Sequence, residues 1–340
     1  MEQNIILLFG GDSDERLVSV ASAQAMAEAI TPKKLWFWHR NGPVYQVTNE
    51  ELQGHKNPFT NEFIPHGEPV FVDIESSIKS PESHGFVFLL GLHGGRGENG
   101  YVQEILERHH RPFTGSGSRA SAVAFNKIAT KEALKPLGIK MAPHIIIESK
   151  DRESIQQNLK SFFDSYCHII VKPICGGSSL GCFFIRDLSD ISHAASEMAK
   201  QNRIFMAEKI IYGREVTLGV VVIDGQEKPL VGTEIVLDAN RSFDYEGKYL
   251  GAGTQEITPA RISEQEMREA QRIAVLAHRG LHLRGYSRTD LILAEDGFYY
   301  LETNTLPGMS RSSLVPQQLA LAGISLRQFL MNLIKEAQQS

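Results

Sequence analysis

Two β-rich runs near the end of the chain, Tyr286 to Ala294 and Phe298 to Glu302, are joined by Glu295-Asp296-Gly297, a hairpin signal. Side chains alternate between faces along a strand, so Arg288 and Asp290 share one face of the first strand, and Glu302 and Asn304 share one face of the second. A three-residue turn with Gly297 in the left-handed position would set residue 290 opposite 302 and 288 opposite 304. The four side chains then converge. Two carboxylates, an amide oxygen and a guanidinium make a poor core, but they suit a divalent cation and a phosphate. The plainer alternative is an exposed face with cross-strand ion pairs. Leu291, Leu293, Tyr300 and the run Leu306-Pro307-Gly308 argue instead for an interior hairpin.

Upstream, Asn4 to Phe9 is an apolar run ending in Gly10-Gly11, followed by an Ala-rich helical stretch, Ser19 to Ile30. Strand, glycine turn and helix open an α/β fold. Leu35 to His39 and Gly85 to Leu92 are further short strands, so a mostly parallel sheet is the economical topology, with ligands gathering at its carboxyl ends. The Gly/Ser-rich stretch FTGSGSRAS marks a domain boundary, after which a helix runs through Asn126 to Leu137. Ala142 to Ile147, His168 to Pro173 and Cys182 to Ile185 read as strands of a second α/β unit. Strands at Met206 to Ile210 and Glu215 to Ile223 follow, and the helix Ser263 to Gly280 precedes the hairpin. Between them, Leu237 to Thr258 is polar and unpatterned, a length that in a compact domain usually serves a function.

Several loops could touch a ligand. Lys172 precedes Gly176-Gly177-Ser178-Ser179-Leu180-Gly181, whose glycines would let backbone N–H groups approach a phosphate, although a Gly-Ser turn between strands is more often only a turn. His93-Gly94-Gly95-Arg96-Gly97-Glu98 follows an apolar strand at a ligand-binding position of an open sheet. A lone loop histidine is commonly just solvated. No G-x-x-x-x-G-K-[ST] run occurs, nor a G-x-G-x-x-G after a strand, so neither a P-loop nor a dinucleotide site is indicated.

Composition narrows the classes further. The 340 residues, 42% hydrophobic and 22% charged, suit two or three globular domains. A net charge of -5 offers no broad positive field for nucleic acid. Three cysteines without a C-x-x-C pair indicate neither a disulfide framework nor a zinc site. The first residues lack the basic region of a secretory signal, and the apolar runs fall short of the ~18 residues of a membrane span. A soluble, cytoplasmic protein is expected.

In order, the stretches GGDSDERLVSVAS, LHGGRGENGYVQ, PFTGSGSRASAVAFNKIATK, VKPICGGSSLG, AEKIIYGRE, FDYEGKYL with TPA downstream, SRTDL and LETNTLPGMSRSSLVP resemble the D-alanine:D-alanine ligase family of the ATP-grasp superfamily across essentially the whole chain. The resemblance implies an α/β fold: an N-terminal parallel-sheet domain (1–116), then two ATP-grasp subdomains (117–204 and 205–340) sandwiching ATP, with a lid at about 237–258. It implies ligation of two D-alanines for peptidoglycan precursor synthesis through an acyl phosphate, by a homodimer that binds neither nucleic acid nor membrane. Lys127 and Lys172 would bind the ATP phosphates, Glu208 would face the adenine and Glu215 the ribose. Asp290, Glu302 and Asn304 match the ligands of two Mg²⁺ ions, with Mn²⁺ an alternative. Arg288 and the Gly308 N–H match the donors to the tetrahedral oxyanion. Glu15 would hold the first substrate's ammonium, His93 would orient its carboxylate, and Ser313 and Leu314 would bind the second substrate's carboxylate. Ser178, Lys248 and Tyr249 match the closing loops, with Lys248 on the transferring phosphate and Tyr249 on Ser178. Asn99, Phe243 and Gly176 depart from the family's usual Asp, Tyr and Glu, and the last puts the details of loop closure in doubt. D-Alanyl-D-serine and D-alanyl-D-lactate ligases are the nearest alternatives, with Tyr249 speaking against lactate. An ATP-grasp ligase of another carboxylate and amine, or a non-catalytic nucleotide-binding module, stands further off.

Overall fold

The computed structural model describes residues 4–177, 181–237 and 254–339. Its first sheet has the order β3-β2-β1-β4, built from β1 (Ile5–Gly10), β2 (Lys34–Trp38), β3 (Val44–Val47) and β4 (Val87–Leu90). The strand β1 is parallel to both β2 and β4, and β3 is an antiparallel edge. All six residues of β1 are buried, as a central strand covered on both faces requires. Gly10 turns the chain at its end: a Cβ there would lie 2.4 Å from the Trp38 carbonyl oxygen. The helix Arg16–Ile30 follows directly.

The second sheet, β5-β8-β6-β7, is antiparallel and uses β5 (His144–Ile147), β6 (Ile169–Pro173), β7 (Phe183–Ile185) and β8 (Phe205–Lys209). The helices Arg152–Tyr166 and Leu188–Ala199 close one side through Ile155, Leu159, Ile191 and Ala194. Aspartates at both N-caps, Asp151 and Asp187, accept from backbone N–H groups and set where the helices begin.

The third sheet comprises β9 (Arg214–Ile223), β10 (Gln226–Pro229), β11 (Thr233–Leu237), β12 (Thr254–Ile257), β13 (Tyr286–Ala294) and β14 (Gly297–Asn304). Its main order is β12-β11-β9-β13-β14, again antiparallel, with β10 pairing β9. Val216, Leu218 and Leu291 point from one face toward the helix Glu264–Gly280. That helix starts in a capping box formed by Ser263 and Glu266. Of the stretch read as unpatterned from 237 to 258, Thr254–Ile257 is a paired strand, and 238–253 lie outside the described residues.

The C-terminal helix Leu326–Ala337 returns to the first sheet. Phe329, Leu330, Leu333 and Ile334 join the core formed by β1, β2 and β4, each contributing about 1.5–3 kcal/mol for a fully buried side chain. The loop after β14 is therefore strung between the third sheet and the first core. No helix among the described residues is long and apolar enough to cross a membrane.

Candidate active site

Between the two antiparallel sheets lies a cavity of about 570 Å³. Lys172 enters it from β6, Glu208 from β8, Glu215 from β9, Asp290 from β13 and Glu302 from β14. Apolar side chains such as Ile170, Phe184 and Ile292 line the rest. A wall part apolar and part charged suits a ligand with a flat ring at one end and anionic groups at the other.

The hairpin brings its four residues together in the expected pairing. Asp290 lies opposite Glu302 and Arg288 opposite Asn304. The route differs from the three-residue turn: Ala294 pairs with Gly297 across a two-residue turn, and a bulge between Asp290 and Leu291 shifts the register by one. Arg288 donates to both Asp290 oxygens, at 2.9 and 2.8 Å, and Thr217 donates to Oδ1 from the neighbouring strand. Asp290 is buried, and these donors satisfy its oxygens.

Glu208 is a buried carboxylate held between two ammoniums. Lys131 Nζ lies 2.6 Å from one oxygen and Lys172 Nζ 2.7 Å from the other. Burial opposes its charge, but Lys172 and Lys131 outweigh burial and hold it below the usual carboxylate range. For Lys172, burial works downward while Glu208, and then Glu302, carry it above the ordinary lysine value. Lys127, at the start of the helix Lys127–Leu134, donates to the Gly176 carbonyl at 2.6 Å and lies 3.7 Å from Glu302. Lys131 was not singled out in the sequence, although its spacing of four from Lys127 sets both on one helix face.

A smaller recess adjoins the cavity and is lined by Glu15, Glu98, Lys127, Glu302 and Asn304. Glu15 stands at the N-cap of the helix Arg16–Ile30 without capping it. Its carboxylate sits between two glycines: a Cβ on Gly94 would lie 2.4 Å from Oε2 and one on Gly177 3.2 Å from it. A side chain at either glycine would press on this carboxylate. Glu98, also not singled out, accepts from the backbone N–H groups of Gly94, Thr305 and Leu306. Burial and the nearby Glu15 charge push its carboxyl up to about 7 against the pull of those N–H groups.

His93 is buried, with Nδ1 2.7 Å from the Leu306 carbonyl and Nε2 2.8 Å from Ser22 Oγ. Burial lowers it to about 4, with the Arg288 charge adding to the effect, so the ring is neutral near pH 7. Gly308 packs beside Ser313, whose Oγ would be 2.7 Å from a Cβ at that glycine. Ser313 is the N-cap of the helix Leu314–Leu321, and Leu314 is buried at its first position. Gly308, Ser313, Leu314 and His93 thus stand beyond both recesses. Ser178, Lys248 and Tyr249 lie outside the described residues.

Asp290, Glu302 and Asn304 fit a hard divalent ion by chemistry, with two carboxylates and an amide from adjacent strands. The Asn304 amide nitrogen is buried without a partner, so the amide is left to be oriented by what fills the space beside it. Among the described residues no group of three or more His, Cys, Asp or Glu side chains could hold a metal, so the amide is needed to complete the set.

Residues 4–116 match the family described as D-ala D-ala ligase N-terminus, and residues 133–335 match D-ala D-ala ligase C-terminus. The chain is 34% identical to a D-alanine--D-alanine ligase of Syntrophobacter fumaroxidans over 338 residues, covering 98% of this chain and 97% of the relative. It is 39% identical to one of Leptospira interrogans over 258 residues, covering 73% of this chain and 72% of the relative. Among solved structures, a D-Ala:D-Ser ligase from Enterococcus faecalis superposes with a TM-score of 0.82 at 26% identity, covering 99% of this chain and all of that one. Matched by family from its first strand to its last helix, the chain belongs to the D-alanine:D-alanine ligases of the ATP-grasp superfamily.

Proposed function

We propose that this protein joins two D-alanines, using ATP, to make D-alanyl-D-alanine for peptidoglycan precursors. The observation that carries the reading is the recess where Glu15, Lys127, Glu302 and Asn304 meet beside the intersheet cavity. A carboxylate for an amino group thereby stands next to the machinery for a phosphate.

In this reading ATP lies in the cavity, its ring among the apolar residues, Glu208 toward the adenine and Glu215 toward the ribose. Lys127 and Lys172 bind the phosphates. Asp290, Glu302 and Asn304 would hold Mg²⁺, which when bound would supply charge neutralisation for phosphoryl transfer. Glu15 holds the first D-alanine by its ammonium, so that a carboxylate oxygen faces the γ-phosphorus of ATP, bonds to it as the β–γ bridge breaks and ADP leaves, and becomes an acyl phosphate. The second D-alanine, its carboxylate at Ser313 and Leu314, attacks that carbonyl with its amine and expels phosphate. Arg288 and the Gly308 N–H donate to the oxygen on which charge develops.

The test is phosphate release from ATP and Mg²⁺ with D-alanine, D-serine and D-lactate offered singly and in pairs, with products identified by mass. D-Alanyl-D-alanine as the main product is expected. D-Alanyl-D-serine would move the second-substrate assignment toward the Enterococcus neighbour, and no release with any pair would overturn the ligase reading.

A further inference from the structure

Gly308 lies in a loop, and a glycine N–H can be aimed at a reacting atom only if the backbone on either side is held. Glu98 holds the N–H groups of Thr305 and Leu306, and two further contacts from the N-terminal part of the chain grip the backbone on either side of Pro307-Gly308. The Leu306 carbonyl is 2.7 Å from His93 Nδ1, and the Met309 N–H donates to Ser22 Oγ at 3.0 Å. Ser22 Oγ is in turn 2.8 Å from His93 Nε2, which closes the circuit. All four residues are buried.

Proton counting gives each bond its direction. A carbonyl only accepts, so His93 Nδ1 carries the hydrogen. A backbone N–H only donates, so the Ser22 oxygen accepts from Met309 and its own hydroxyl proton goes to Nε2. A neutral imidazole with one donor and one acceptor satisfies every partner. Between the two held atoms stand only Pro307, with its φ fixed by the ring, and Gly308.

We infer that Ser22 and His93 form a clamp that fixes the direction of the Gly308 N–H by gripping the backbone at Leu306 and Met309. The inference rests on the reading of Gly308 as an oxyanion donor. Both ring nitrogens of His93 are engaged within the protein, so His93 acts on the substrate through the loop rather than by touching its carboxylate. Ser22, which no sequence feature singled out, becomes a positioning residue for amide formation. Because Ser22 and His93 flank the first sheet, the aim of a donor beside the third sheet is set from the other end of the fold.

The experiment uses the full chain as wild type, Ser22→Ala, His93→Asn and His93→Ala. Ser22→Ala is expected to lower kcat for dipeptide formation ten- to a hundredfold, with the KM for ATP unchanged within twofold. Affinity for a phosphinate analogue of the tetrahedral intermediate should fall in parallel with kcat/KM, since that analogue alone reports the oxyanion donors. His93→Asn keeps a donor near the Nδ1 position and should retain about ten times the activity of His93→Ala. Wild-type kcat and analogue affinity in Ser22→Ala would overturn the clamp, as would equal activities of the two His93 variants. Hydrogen exchange at the Met309 amide tests the clamp without catalysis: slow exchange in the wild type and fast exchange in the variants supports it, and equal rates overturn it. If the wild type makes no dipeptide from any pair, the ligase reading fails while the exchange result still decides the clamp. Should Ser22→Ala fail to fold, the His93 pair and its exchange rates carry the test.

Discussion

Replacing Glu208 with Gln should damage this protein more than removing either lysine beside it. The carboxylate is the one negative charge between Lys131 and Lys172, at 2.6 and 2.7 Å. In Glu208→Gln two ammoniums remain, roughly 5–7 Å apart, and repel by about 2–3 kcal/mol at an effective dielectric of about 20. Two charge-assisted hydrogen bonds, worth about 1.5–3 kcal/mol each, are weakened as well. A loss of about 5 kcal/mol follows, at the upper end for breaking a buried ion pair. Lys131→Met leaves Glu208 paired with Lys172 and electrically neutral, so its cost is about 2–3 kcal/mol, one such bond. Adding Lys131→Met to Glu208→Gln removes the repulsion and should recover part of the loss. Thermal unfolding of the three variants measures this: at about 2–4 °C per kcal/mol, Glu208→Gln should melt roughly 10–20 °C lower. If Glu208→Gln melts no lower than Lys131→Met, or if the double variant loses the full sum, the carboxylate is not the keystone described here.

Arg288→Met should reduce dipeptide synthesis by at least about a hundredfold, the usual cost of an oxyanion donor, while ATP binding stays within a few fold; calorimetry and product assays decide, and near-normal turnover refutes the role. Thr217→Val removes the hydroxyl that donates to Asp290 and should weaken the apparent Mg²⁺ affinity by roughly tenfold, read from the metal dependence of ATP turnover; an unchanged dependence would count against Asp290 as a ligand. Burial holds both His93 and His278 down to about 4, so between that value and the ordinary 6.5 the unfolded chain binds protons that the native state does not. Stability present above pH 6.5 should therefore fall as pH drops toward 4, by up to roughly 3 kcal/mol per histidine, while Glu98, held up to about 7, takes on a proton in the native state over the same range and offsets about 3 kcal/mol of that sum. Urea unfolding across that range should show the slope, and His278→Gln should lessen it; a flat profile would refute the assignment.

The shared face of Arg288, Asp290, Glu302 and Asn304 was legible in the sequence because strand alternation has a period of two whatever the turn. The turn itself was not, since a bulge and a shorter loop cancel to give the same pairing. The strand Thr254–Ile257 escaped because TQEI is short and polar, as an edge strand can be. Lys131 announced itself only through its spacing from Lys127. Glu98 and Ser22 stood out less: besides the Gly94 N–H and His93, their partners are backbone groups at 305, 306 and 309, brought near by the fold alone.

The helix Leu326–Ala337 fills the core of the first sheet, yet the ribosome makes it after both antiparallel sheets. During synthesis β1, β2 and β4 wait with one apolar flank uncovered until this helix emerges. The loop from 305 to 313 is joined to it through the helix Leu314–Leu321. A nascent chain halted before residue 326 would thus carry every proposed metal ligand while the core of the first sheet still lacked this helix.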